Sequence, residues 1–163
     1  MKILVMSDSH NIILNLQIED IRKEGPFDLL LHCGDKYNDA EKFAEKLNID
    51  KVLNVPGNCD FNYNIIGTKS NIVQEIEGKK FLITHGHTHN VKMDLNRLKD
   101  YAKKNKVDIV IYGHTHKAQN EFIDNILFFN PGSTIFPKDN KASFGVIEIT
   151  KDHFNSRIVP LEN

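Results

Sequence analysis

The sequence is poor in cysteine, has no long apolar run and carries almost no net charge. Each shortage closes a class of reading. Cys33 and Cys59 are two thiols, too few for a disulfide framework, and they point to a reducing compartment. No apolar run approaches the ~20 residues that cross a bilayer. Ile3-Leu4-Val5 is too short for a signal peptide and runs at once into Ser7-Asp8-Ser9-His10. The expectation is a cytoplasmic protein with no membrane partner. The formal net charge is −1, with lysines interspersed among Asp and Glu, so no nucleic-acid patch is evident. Internal repeats, low-complexity segments and linkers are also missing.

The 163 residues suffice for one domain, residues 1–163, with a core that needs no staples. Histidine is what the sequence has in excess. His85, His87, His89, His114 and His116 crowd into one short span. The organising stretch is Ile111-Tyr112-Gly113-His114-Thr115-His116, read as the end of a buried strand that breaks at glycine. Side chains two apart in an extended segment point the same way, so His114 and His116 can face one ion or a pair of ions.

The same grammar recurs along the chain: an apolar run stops at Asp, Asn or His. Lys2 to Met6 predicts a buried strand ending at Asp8 and His10. Phe27 to Leu31 predicts another, ending at Gly34-Asp35, and Lys51 to Val55 a third, ending at Gly57-Asn58. Helices are expected up to Glu24-Gly25-Pro26 and over Ala40–Leu47 and Val91–Lys104. Asn71–Ile76 and Lys79–Thr84 flank Glu77-Gly78, a hairpin signal, and the second of them ends at His85. Short strands follow around 121–123, 126–130, 143–149 and 156–159. The alternation predicts an α/β fold: a two-layer core of mixed sheets with helices outside and polar loops at the carboxyl ends of the strands.

Asp8, His10, Asp35, Asn58, His85, His114 and His116 all offer oxygen or nitrogen. Such a set suits Mn²⁺, Fe²⁺, Ni²⁺ or Zn²⁺ and needs no thiolate. Seven side chains exceed what one ion with an open position takes, and they suit two ions sharing a carboxylate, a clamp for in-line displacement at phosphorus.

In order, Asp-x-His, Gly-Asn-x-Asp, His-Gly-His and Gly-His-Thr-His, with Gly-Asp after the first, resemble the calcineurin-like metallophosphoesterases. The likeness runs from Met1 to about Ser133 and is closest to the compact bacterial and archaeal phosphodiesterase branch. It implies that Asp8, His10 and His116 hold one ion, that Asn58, His85 and His114 hold another, and that Asp35 bridges them. The cofactors implied are two divalent ions per chain, Mn²⁺ first and Ni²⁺, Fe²⁺ or Zn²⁺ as alternatives. The activity implied is hydrolysis of small phosphodiesters by a metal-bridging hydroxide, with His87, His114 and Asn58 at the reacting group. Many members carry His after the Gly-Asn; here the residue is Cys59. A thiol titrates nearer 8.5 than 7, so the departure favours activated or diester substrates over alkyl monoesters, with His87 as a partial substitute.

Plainer roles stand beside these. Asp8 and His10 can cap a helix, and Asn58 can be turn chemistry after Pro56-Gly57. His32 is expected buried and hydrogen-bonded, His89 at a helix start or on the surface, and His153 on the surface. Cys33 and Cys59 read as small buried thiols. Phe61 and Tyr63 either pack a loop or stack on a substrate. The same fold also serves as a non-catalytic scaffold in the eukaryotic retromer complex, with some ligand positions altered. This sequence keeps every ligand position. Nuclease relatives carry extra domains or basic channels, and neither is evident here. The sequence leaves open a homo-oligomer.

Overall fold

The computed structural model describes residues 1–60, 68–139 and 141–162; Phe61 and Tyr63 lie outside them. The first sheet is built around β1 (Lys2–Met6), whose residues are almost wholly buried. On one side β1 pairs in parallel with β2 (Leu29–His32), which pairs in parallel with β3 (Val52–Asn54). A second sheet holds β4 (Asn71–Ile76), β5 (Lys79–Thr84), β6 (Ile109–Ile111), β7 (Ala118–Ile123) and β8 (Ile126–Pro131), in the order β4-β5-β6-β8-β7. The first sheet is completed by β9 (Ser143–Ile149), antiparallel to β1, and β10 (Phe154–Pro160) at its edge.

Alternation along the strands builds the core. Ile3, Val5, Leu29 and Leu31 of one sheet meet Phe81, Ile83, Ile109, Ile111 and Phe129 of the other. The intervening residues Leu4, Met6 and Leu30 face outward onto α1 (Asn15–Glu24) and α2 (Asp39–Leu47). Leu82, Val110 and Phe128 do the same for α3 (Asn96–Asn105). Gly145 lets the sheets close, since a Cβ there would lie 2.3 Å from the Phe129 ring.

The hairpins β4–β5 and β7–β8 turn on Glu77-Gly78 and Asp124-Asn125, all at positive φ. Two-residue turns of that kind match the twist of paired strands. The expected helix over Val91–Lys104 starts later, at Asn96. Val91 instead packs its side chain against Gly86, and the Asp94 carboxylate accepts the Asn96 N–H at 2.8 Å, which sets the first turn. None of the described helices is long and apolar enough to cross a membrane.

Candidate metal centre

β1, β2 and β3 run parallel, as do β5, β6 and β8. The loops that follow them therefore gather at one end of the sandwich, the usual place for ligands in such sheets. Backbone conformation there is unusual. Asp8 (φ 56°), His10 (50°), Asp35 (48°), His114 (69°) and His116 (58°) are all left-handed. Such strain in residues other than glycine costs about 1–3 kcal/mol each and persists only where the surroundings enforce it. Here the loops enforce one another. Asp8 N–H donates to the Gly34 carbonyl at 2.9 Å, His10 N–H to that of Asp35 at 2.9 Å, and His114 N–H to the Asp8 carboxylate at 3.0 Å. Close approach needs glycine at two points. A Cβ on Gly57 would lie 2.1 Å from Asp35 Oδ1, and one on Gly113 would lie 1.9 Å from Ser7 Oγ.

Two neighbouring clusters result. In the first, donor atoms of Asp8, His10, Asp35 and His116 all lie within 4.8 Å of one another. His116 Nε2 is 3.2 Å from Asp8 Oδ1 and 3.4 Å from His10 Nε2. In the second, His85 Nε2 lies 3.1 Å from Asn58 Oδ1, 3.2 Å from His114 Nδ1 and 3.5 Å from Asp35 Oδ2. Asp35 is common to both, since its Oδ2 is also 3.8 Å from His10 Nε2.

The hydrogen-bond chemistry identifies what these clusters want. The Nδ1–H of His85 donates to the Cys33 carbonyl at 2.5 Å and that of His116 to the Phe136 carbonyl at 2.7 Å. Both rings therefore aim the Nε2 lone pair at carboxylate and amide oxygens, which are acceptors, with further ring nitrogens alongside. Asp8 Oδ1 is buried without a hydrogen-bond partner, while Oδ2 takes Ser7 Oγ at 2.5 Å. Acceptors facing acceptors call for a cation between them. One proton can satisfy a single pair; a divalent ion meets several donors at once, and the oxygen and nitrogen set fits one.

Titration follows the same logic. Burial works to raise the Asp35 carboxyl, yet His85 and the Cys59 N–H outweigh it and hold the pKa well below the usual range. Burial likewise opposes ionisation of Asp8, and His116 and His85 overcome it. Desolvation lowers His85, but Asp35 and Asp8 bring it above its ordinary value. Desolvation, then the neighbouring His85, push His114 down to about 4, so near neutrality its ring offers a lone pair.

The family description "calcineurin-like phosphoesterase superfamily domain" matches residues 1–152. The chain belongs to the calcineurin-like phosphoesterase superfamily. A probable metallophosphoesterase of Bacillus subtilis is 31% identical over 153 residues, covering 93% of this chain and 86% of its own. A phosphodiesterase of Methanocaldococcus jannaschii is 31% identical over 174 residues, covering 98% and 99%. The crystal structure of Vps29 with zinc from Entamoeba histolytica superposes with a TM-score of 0.79 over 99% of this chain and 100% of that one. Its 24% identity makes this a likeness of fold alone. A metallophosphoesterase fold implies divalent ions, and the clusters above supply suitable donors.

All seven side chains expected at the phosphoesterase centre lie in these two clusters. His87 stands beside them, its ring 5.3 Å from that of His85 and 6.1 Å from that of His114, with a buried, unpartnered Nδ1. His32 is buried and hydrogen-bonded to Ser9 Oγ at 3.1 Å. His153 is exposed. His89 departs from expectation: it is buried, meets Asn71 Oδ1 at 3.0 Å and packs its ring at a tilt against that of Tyr101. Of the thiols, Cys33 is buried in the core, whereas Cys59 is only half-buried beside the centre.

Asp60, Ser133 and Phe136 received no role from the sequence. Asp60 accepts N–H bonds from Gly57 at 2.7 Å, Tyr37 at 3.0 Å and Asp35 at 3.2 Å, tying two loops together. Ser133 Oγ donates to the Asp8 carbonyl at 2.7 Å. Phe136 is exposed with its ring 5.5 Å from His10. The motif Gly-Asn-x-Asp contained the signal for Asp60. Nothing local marked Phe136.

Proposed function

We propose that the protein is a metal-dependent phosphodiesterase of small phosphodiesters that works with two divalent ions. Asp8, His10 and His116 would hold one ion, Asn58, His85 and His114 would hold the other, and Asp35 is placed to serve both. The observation that carries the reading is the buried convergence of acceptors, above all the unpartnered Asp8 Oδ1 beside His116 Nε2. When bound, the ions supply Lewis acidity toward a phosphoryl oxygen and a water of lowered pKa.

The chain's own residues set the rest. Asp8 and Asp35 contribute two negative charges, and the amide of Asn58 contributes none, so two divalent ions leave the inner shell at about +2, suited to a phosphate ester. The Nδ1–H bonds of His85 and His116 fix the tautomers that aim both Nε2 atoms inward. Desolvation, then the charge of His85, lower the pKa of His87. Its neutral ring can donate one hydrogen bond to a phosphoryl oxygen. Burial and the nearby Asp35 carboxylate raise the pKa of Cys59, which keeps it a neutral thiol and a weak donor. Without imidazole at that position the leaving group must depart with little help, which favours diesters with good leaving groups.

The test compares bis(p-nitrophenyl) phosphate with p-nitrophenyl phosphate after removal of metal and addition of Mn²⁺, Ni²⁺, Zn²⁺ or Mg²⁺ in turn. Metal-dependent turnover of the diester, lost in Asp35→Asn, is the expected result. No turnover with any metal, despite two tightly bound ions, would overturn the reading and favour the scaffold role that the Vps29-like fold also permits.

A further inference from the structure

A second cleft, of about 670 Å³, opens beside the metal centre. That volume lies within the range that takes a small-molecule ligand. Thr115, set between His114 and His116, lines it, so the cleft continues the centre rather than standing apart. Val91, Leu95 and Ala118 give it an apolar lining, to which Tyr112 and Gln119 add polar groups. Its rim carries the exposed side chains of Lys92, Lys117 and Lys138. The Lys138 N–H donates to the His116 carbonyl at 2.9 Å, which fixes this part of the rim to the metal loop.

Surface lysines are ordinary, and most need no explanation. These three are set apart by sharing one cleft beside the metal loop. Lys2, Lys23, Lys42 and Lys103 each have a carboxylate within 4.0 Å. Among the described residues, Lys92, Lys117 and Lys138 have none, and no acidic side chain lines the cleft. Three lysines therefore gather on one cleft of a chain whose net charge is −1, while the nearest acids, Asp139 and Glu121, are turned to the Ala118 N–H at 2.7 Å and to Gln119 Nε2 at 3.1 Å. Low-dielectric walls focus such a field on an anion.

We infer that this cleft receives the non-reacting arm of a diester that bears a second phosphate group. The spacer lies on Val91, Leu95 and Ala118, and the far phosphate sits among Lys92, Lys117 and Lys138. The inference rests on the phosphodiesterase reading, and it assigns the substrate a charge that the metal centre alone does not require.

Calorimetry on the Mn²⁺-loaded protein at low ionic strength tests it with thymidine 3′,5′-bisphosphate and thymidine 5′-monophosphate as probes. The bisphosphate should bind at least about fivefold more tightly, the scale that a few screened, exposed charge pairs supply. In the Lys92→Gln, Lys117→Gln, Lys138→Gln triple variant that preference should fall to about twofold or less. A control with the same net charge, Lys46→Gln, Lys104→Gln, Lys151→Gln, should keep it. Equal binding of the two probes, survival of the preference in the cleft variant, or equal loss in the control would each overturn the assignment. Selective binding without hydrolysis of bis(p-nitrophenyl) phosphate would sink the reaction class while leaving the cleft assignment standing.

Discussion

Asp60 offers a sharp test of how the centre is held, because it is expected to touch no metal. Its carboxylate is buried and accepts N–H bonds from Asp35, Tyr37 and Gly57. Two of those donors belong to the loop after β2 and the third to the loop after β3, so Asp60 sets the spacing between Asp35 and Asn58. Asp60→Asn keeps one oxygen. Placed at the Oδ2 position it still serves Asp35 and Gly57, but it leaves an N–H facing the Tyr37 N–H. Losing one bond to a charged acceptor costs about 1.5–3 kcal/mol. At about 2–4 °C per kcal/mol for a chain of this size, the metal-free variant should melt roughly 3–12 °C lower. Asp60→Ala loses three bonds and should cost more, though water will recover part of it. The functional loss should exceed what stability alone explains. Displaced supports of ligating groups commonly cost about 10–100-fold in metal affinity or activity. Thermal melts of the metal-free protein and Mn²⁺ titrations, run on both variants, separate the two effects. If Asp60→Asn binds Mn²⁺ as tightly as the parent and melts at the same temperature, the argument that Asp60 sets the ligand geometry is wrong.

Three further outcomes follow from the same geometry. Gly57→Ala would place a Cβ 2.1 Å from Asp35 Oδ1 and 2.5 Å from the Asp35 backbone nitrogen; backbone must shift, so metal-dependent turnover should fall at least about tenfold while circular dichroism stays native-like. Desolvation lowers the pKa of His32 from 6.5 to about 4, so between those values the unfolded chain binds a proton the folded one refuses. Its contribution is complete above pH 6.5 and is lost as pH falls toward 4, by up to about 3 kcal/mol. Denaturant melts of metal-free His32→Asn should show a shallower decline across that window, and an unchanged slope would refute the assignment. Cys59→His should raise turnover of p-nitrophenyl phosphate relative to the diester, because an imidazole restores a proton donor tuned near neutrality; an unchanged ratio would remove the leaving-group argument.

Much of this architecture is legible in the sequence because local pattern and tertiary demand agree. Leu29-Leu30-Leu31 is apolar on both faces because both faces of β2 are covered, Leu30 by helices and its neighbours by the opposing sheet. The polar residues that interrupt such runs are conspicuous for the same reason. A buried sheet has no use for Asp8, His85 or His114 at a strand end unless something there binds them. Where the reading slips, the cause is a contact between distant segments. Val91 has the spacing of a helix face, but Gly86 leaves room for its side chain to fold back, and the helix waits for Asp94. His89 looks like a surface residue until Asn71 and Tyr101, from a different strand and helix, close over it.

The supports of the centre are the least legible part, and they explain why its strained backbone is tolerable. Six left-handed residues other than glycine in three short loops, Asn11 among them, would cost several kcal/mol if each loop stood alone. They do not stand alone. The Asp8 loop leans on Gly34, the Asp35 loop on Asp60, and the His114 loop on the Asp8 carboxylate. Ser133, from a fourth loop, clamps the Asp8 carbonyl. Each of these bonds joins residues far apart in the chain, so no window of sequence contains both partners. The motif residues declare themselves by type. What holds them in place depends on which strand lies beside which, and that follows only once the two sheets have closed.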